Sequence, residues 1–394
     1  MIECKHQRYY FCSLFLSEFA RTLPHAVLTI ILINKGLQLR DISIVQMFYM
    51  LAIIFFELPS GVISDIFDRK SVYLSSIFLS MIAYFFIFQT SSFIILCIAW
   101  FIYGISSAFN TGTIDISFTH IYQSNAQKLK SFILSMKIIL NIGAILGGYA
   151  GSILFLYVDT KIYLLSLFLY LASSLITIFF ISSDKNTDYN KEDLRFYLKQ
   201  FRNDIIALLR SKILIELFIL ISSIQFFFQP FYLYWQAIFI DKNVPLSVFG
   251  IIYILFRLSN IIGAWVFKKI KHSKYDSYVI LGIIFLLSVL IKMVSHIYIF
   301  IVIMIFLVVL VSLYSNNLEF FLRKNIDSKV LGTISSINST ISRLFSFLVL
   351  LACSVLTTFI SIINTFILLM FIFCVMSILV IYKFMHNKRD KVNT

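Results

Sequence analysis

Apolar residues in this chain run in long blocks, and charge, Gly, Pro and Asn mark the breaks between them. Twelve such runs fall near residues 9–34, 42–62, 72–89, 92–119, 132–157, 162–182, 213–240, 246–267, 276–295, 297–322, 330–357 and 359–382. A helix crosses the hydrocarbon core of a bilayer with about 20 predominantly apolar residues, at about 1.5 Å each. A barrel strand needs only about 9–11 residues of alternating character, so run length alone predicts helices. The shortest breaks, Gln89 to Ser92 and Ser295 to Tyr298, are expected to be tight outer turns. A single long polar stretch, Ser183 to Lys212, has six runs before it and six after. It carries Leu194, Tyr197, Leu198, Phe201, Ile205 and Leu208 at helical spacing.

The basic residues orient these runs. With the N-terminus inside, 24 of the 33 Lys and Arg fall on the cytoplasmic side, four (Lys35, Arg40, Lys161, Lys242) outside and five within runs. Inner loops retain positive charge, so this asymmetry places both termini in the cytoplasm. The predicted fold class is an all-α polytopic membrane protein with twelve transmembrane helices in two six-helix halves. Residues 1–182 form the N-terminal bundle, 183–212 a cytoplasmic linker, and 213–394 the C-terminal bundle with its cytoplasmic tail. Two six-helix halves suggest a duplicated transporter. A short echo agrees: Leu39 to Ser43 leads into the second run much as Pro245 to Phe249 leads into the eighth.

Composition narrows the class. The chain is 60% hydrophobic and 13% charged, with a mean hydropathy of +0.93, against about 45–50% and about 25% in soluble domains. Its 43 Phe, 21 Tyr and 3 Trp exceed what a water-soluble fold of 394 residues could bury. A cytosolic enzyme, a disulfide scaffold and a disordered chain are excluded. The net charge of +14 is then a matter of topology, and no nucleic-acid partner is expected. Five scattered Cys without CxxC, and six His without HxxxH or HExxH, offer no metal spacing. There is no GxxxxGK[ST] for nucleotide, and no cofactor is expected. The first apolar stretch is too long for a signal h-region and lacks a small-residue cleavage site. Heavy use of Phe, Ile, Lys, Asn and Tyr suggests an AT-rich bacterial genome.

Ionisable residues inside spans are costly, so depth ranks them. Lys137, Glu216, Glu319 and Lys292 lie near run ends, where side chains can snorkel, and Glu57 is intermediate. Glu18 and Arg21 stand three apart near the middle of the first run, on one helix face, and can pair. Arg257 and Arg343 reach mid-span in the eighth and eleventh runs. Three cations against one nearby acid favour anionic, zwitterionic or neutral amphipathic cargo over a bare organic cation. The arginines could instead cap carbonyls and hold helices together. Asn141, Gln225, Gln229, Tyr232 and Asn260 are further substrate or coupling candidates. Glu18, the acid nearest mid-membrane, is the candidate proton carrier.

Two motifs carry a family resemblance. Gly61-x-x-x-Asp65 followed by Arg69 and Lys70, with Asp115 at the inner end of the fourth run, resembles the loop 2–3 signature of the major facilitator superfamily. Gly143, Gly147, Gly148 and Gly151 resemble the glycine-rich fifth helix of efflux members, although a simple packing seam explains glycines at this spacing equally well. Phe228 to Tyr232 and Ser335-x-x-Asn338-Ser339-x-x-Ser342-Arg343 are also similar to small bacterial drug-efflux members. The chain departs from the family pattern at Ile66, at Asp68, and at Trp100, which stands where an antiporter motif puts Arg four residues before Gly104. The resemblance implies a gating latch of Gly61, Asp65, Arg69, Lys70 and Asp115. It also implies a monomeric, multi-pass secondary transporter of the cell (inner or plasma) membrane, in contact with lipid. Its expected function is proton-coupled efflux of small amphipathic solutes by alternating access. Uptake of a nutrient or organic anion is the alternative, and a membrane enzyme or lipid scramblase a distant one.

Overall fold

The computed structural model describes residues 2–111, 113–123, 125–182, 212–269, 276–324 and 331–390, all of them helix or short connection. The expected linker, 183–212, lies almost wholly outside the described residues. Among the described residues, nine stretches are long and apolar enough to cross a membrane. One of them, Ala126–Phe180, contains two helices, and Ser277–Met293 is a shorter apolar helix beside the nine. The protein is an all-α polytopic membrane protein.

The chain divides into two compact units, Met1–Leu194 with Pro245–Ile254, and Arg195–Val244 with Leu255–Thr394. In the first, α1 (Ile2–Thr22) and α2 (Leu28–Asn34) share the first apolar run. They are followed by α3 (Leu39–Ile66), α4 (Arg69–Gln89), α5 (Phe93–Asn110), α6 (Ile114–Tyr122), α7 (Ala126–Val158) and α8 (Ile162–Phe180). Helix α5 packs along both α3 and α4, while α1 lies against α7 and α8. In the second unit, α9 (Lys212–Ser222) and α10 (Gln225–Asp241) share the seventh run and pack on α14 (Leu331–Phe359) and α15 (Ile362–Asp390). Helix α12 (Asp276–Met293) rests on α13 (Ile297–Lys324) and α15, and α11 (Phe249–Lys269) starts in the first unit and ends in the second.

Three runs expected as continuous helices are broken, the first at Leu23–Val27, the fourth after Asn110 and the seventh at Ser223–Ile224. Pro24 explains the first, since proline brings no backbone N–H and its ring clashes with the preceding turn. At the seventh, the Ser223 hydroxyl donates to the Leu220 carbonyl at 2.7 Å, a local bond that competes with the helix ladder. Helix starts follow their caps. Asp68, a departure from the loop signature, caps α4 by accepting from the Ser71 backbone N–H at 3.3 Å and its hydroxyl at 3.0 Å.

The two units repeat one device. After α2, Gly36 turns left-handed (φ 89°) and the Leu37 N–H closes on the Leu32 carbonyl at 3.1 Å. After α10, Asn243 does the same (φ 58°) and the Val244 N–H closes on the Phe239 carbonyl at 2.9 Å. Both are Schellman-type ends, and glycine and asparagine are the residues that tolerate the left-handed position. The preceding lysine is clamped in each: Lys35 Nζ donates to the carbonyls of Phe88 (3.2 Å) and Thr90 (2.8 Å), and Lys242 Nζ to that of Val294 (3.0 Å). Serines tie first to last helix in each unit, Ser13 to Ser173 (2.8 Å) and Ser223 to Ser377 (3.1 Å).

Candidate functional site

The centre of the first unit is built around α1. Glycines of α7 bring the two helices together: a Cβ on Gly143 would stand 3.3 Å from Glu18 Cβ, and one on Gly147 only 2.7 Å from the Phe19 carbonyl oxygen. A Cβ on Gly151 would overlap the Leu23 carbonyl outright. The Thr22 hydroxyl also reaches the Gly143 carbonyl at 3.3 Å. Gly148 looks elsewhere, onto the ring of Tyr253 at the start of α11. Three of the four glycines thus face the segment Glu18–Leu23 closely enough that a side chain there would meet α1.

On that segment Arg21 Nε donates to Glu18 Oε2 at 2.8 Å and Nη2 to Oε1 at 2.5 Å, a two-pronged fork. The Glu18 side chain is 11% exposed and that of Arg21 35%. An arginine side chain one-third open is costly to leave against hydrocarbon. Because α1 ends one residue later, its last carbonyls need outside partners. Tyr84 meets this need by donating its hydroxyl to the Arg21 carbonyl at 2.7 Å.

Tyr84 begins a tyrosine cluster that sequence reasoning missed. Its ring lies 5.5 Å from that of Tyr103, 5.2 Å from Tyr163 and 5.5 Å from Tyr170, the latter two edge-on. Tyr49 lies 5.2 Å from Tyr103 and donates to the Ser107 hydroxyl at 3.0 Å. Tyr49 and Tyr103 both lie within electrostatic reach of Arg21. In a chain with 43 Phe and 21 Tyr, five tyrosines on four helices give no sequence signal.

The expected latch falls only partly within the described residues. Gly61 and Asp65 lie on the last turns of α3, where side chains are outside them. Lys70 Nζ donates to the carbonyls of Ile178 (2.9 Å) and Ile181 (2.7 Å), capping α8. Arg69 is buried and within electrostatic reach of Asp115. Asp115 opens α6, and the backbone N–H groups of Thr113 and Ile116 face its carboxylate across the break in the fourth run. Glu216, expected to snorkel, is instead buried and ion-paired with Lys383 at 3.6 Å.

In the second unit Gln229 Nε2 donates to Gln225 Oε1 and to Ser346 Oγ, both at 3.1 Å. Asn260 bonds back to its own helix at the Phe256 carbonyl (3.1 Å), as Asn141 does in the first unit at the Lys137 carbonyl (2.9 Å). Tyr232 is exposed and stacks on Phe228 at 5.7 Å. Arg257 and Arg343 are half-buried on α11 and α14. Among the described residues no group of His, Cys, Asp and Glu could hold a metal ion.

Solved structures share this fold. The nucleoside transporter NupG aligns with a TM-score of 0.73 at 15% identity, covering 98% of each chain. A single-substitution variant of it aligns at 0.76 and 14%, over 96% of this chain and 99% of that one. A bacterial homologue of the iron transporter ferroportin, in an inward-facing state, aligns at 0.75 and 14%, over 97% and 98%. At these identities the likeness is one of fold, and it does not place the chain in the drug-efflux branch that the motifs suggested. No curated protein matches the sequence significantly. The family model of the Major Facilitator Superfamily matches residues 10–350, and with its helical fold the chain belongs to that superfamily, as a transporter and not an enzyme.

Proposed function

We propose that this protein is a secondary active transporter that moves small amphipathic solutes across the cell membrane by alternating access, coupled to protons at Glu18. The observation that carries the reading is the Glu18–Arg21 fork. It is an ion pair at mid-span, with the Arg21 side chain one-third exposed, beside a helix break and flanked by the glycine seam. With Glu18 ionised the fork is closed. Its protonation removes one acceptor charge and frees Arg21 to meet cargo. Twelve crossings in two halves, with both ends cytoplasmic, fit the charge asymmetry and the repeated Lys35 and Lys242 turns.

Export is the direction supported by the efflux-like motifs. A specific observation favours a second reading, uptake by symport. Cargo that competes with Glu18 for Arg21 promotes proton binding at Glu18, so solute and proton load together.

Proteoliposomes test both. Under an imposed pH gradient, Glu18→Gln is expected to abolish accumulation while retaining downhill exchange. An unaltered pH dependence would make the pair merely structural. The sign of the gradient that drives accumulation in the native protein decides between export and uptake.

A further inference from the structure

The surroundings of Arg21 say more about cargo than its charge does. Glu18 occupies Nε and Nη2, which leaves the N–H groups of Nη1 unspent on a side chain 35% exposed. The local charge is close to balanced, so what Arg21 offers is directional donors rather than a bare cation.

Its neighbours are rings. The Tyr103 and Tyr49 rings lie 5.2 Å apart, tilted by 37°, within electrostatic reach of the guanidinium. The Tyr49 hydroxyl is already used on Ser107, so the part of it left to offer a solute is its ring, with the nearly buried ring of Tyr103 packed against it. Behind them, Tyr84 is wedged between Tyr163 and Tyr170 in edge-on contacts and anchored to the α1 backbone. The rings are thus held in place before any solute arrives, which reduces the ordering cost of binding.

From this geometry we infer that the site in the first unit selects flat aromatic solutes that carry a hydrogen-bond acceptor or carboxylate at the ring edge. The acceptor meets Arg21 while the ring lies against Tyr49 and Tyr103. Aromatic pairs gain beyond simple area burial through offset or edge-on contact, and a saturated ring of equal size forfeits this. The inference deepens the transporter reading and rests on it for its biological meaning, but binding can be measured separately from transport.

The test uses full-length protein purified in detergent, with 2-naphthoate and its saturated analogue, decalin-2-carboxylate, titrated by calorimetry. The naphthoate is expected to bind about tenfold more tightly. Tyr103→Leu is expected to erase that preference, and Tyr103→Phe, which keeps the ring, to preserve it. Tyr49 is only half-buried, so Tyr49→Leu serves as a second probe should Tyr103→Leu fail to fold. Tyr157→Leu, at an exposed position, is the unaffected control. Equal binding of the two carboxylates, no binding of either, or a preference that survives loss of both rings would overturn the inference. Counterflow of aliphatic solutes only would overturn it too, while leaving the transporter reading intact. Naphthoate binding that follows the tyrosines, without counterflow of any solute, would uphold this site and remove the transporter reading instead.

Discussion

The two units use one scaffold for two electrostatic purposes. Aligning Lys35 with Lys242, the residues before each left-handed turn, sets Glu18 opposite Gln225 and Thr22 opposite Gln229. The first unit has a carboxylate forked to a guanidinium at that level; the second has a pair of neutral amides. The neighbouring helix differs in step. In the first unit α7 offers bare glycines, and α1 settles onto them by shape. In the second α14 offers Ser342 and Ser346, which meet Ser222 (3.3 Å) and Gln229 (3.1 Å) by hydrogen bonds. At this level, then, the first unit carries an ionisable pair and the second a neutral one.

The steepest way to break this comparison is the seam. A methyl group at Gly151 meets a backbone carbonyl that cannot move without displacing the helix break, whereas one at Gly282 meets open space. Overpacking of this kind costs about 1–3 kcal/mol or more. Gly151→Ala should therefore sharply lower the thermal unfolding midpoint in detergent and the yield of monodisperse protein. Gly282→Ala should leave both unchanged. Ser346→Ala, at the corresponding polar contact of the second unit, should cost only about 1 kcal/mol. Equal losses at Gly151 and Ser346 would mean that the two seams are not different in kind.

A second experiment makes the first unit resemble the second. Replacing Glu18 and Arg21 together, as Glu18→Gln with Arg21→Gln, removes both charges and leaves no unpaired ion. Removing one partner alone strands the other; the usual loss of about 3–5 kcal/mol for a buried pair shrinks here, because Arg21 is one-third open. The double variant should be more stable than Arg21→Gln alone and should lose pH-driven accumulation. Gln225→Leu should reduce transport without altering its pH dependence. If Gln225→Leu shifts the pH profile and the double variant does not, the chemistry has been assigned to the wrong unit.

The fold was legible because bilayer thickness imposes a length on every helix, and length survives in a sequence read by eye. The fork was legible too, since Glu18 and Arg21 lie three apart on one helix and need no tertiary information. Breaks inside spans were less so. Pro24 announces one, but Ser223 acts through a side-chain bond to Leu220 that only the folded backbone reveals. The tyrosines around Arg21 come from α3, α4, α5 and α8, and their convergence is a property of packing rather than spacing. Asp68 was misread for a related reason: judged against a loop signature it is a departure, yet it caps the helix that follows.

The gentlest test compares the two lysine clamps. Lys35 serves two carbonyls at the end of α4, Phe88 and Thr90, while Lys242 serves Val294 and lies over the Phe300 ring at 5.4 Å. Lys35→Met and Lys242→Met should each lower the unfolding midpoint modestly, by the worth of a charge-assisted bond that is partly solvated. Lys35→Met is expected to change the pH dependence as well. Burial lowers the Lys35 pKa from its ordinary value, and the charge of Asp159 opposes this without cancelling it. Between the folded and unfolded pKa the unfolded chain holds more protons, so stability rises with pH across that window. The native protein should therefore gain stability relative to Lys35→Met as pH climbs toward about 10.4, the value of a free lysine. Below the folded pKa both forms of the chain are fully protonated at this residue, and the difference between the two proteins should be flat. A relative loss over the alkaline range would mean that the carbonyl pair holds the ammonium more strongly than burial opposes it. The two clamps would then differ in the number of their bonds and not in how burial bears on their charge.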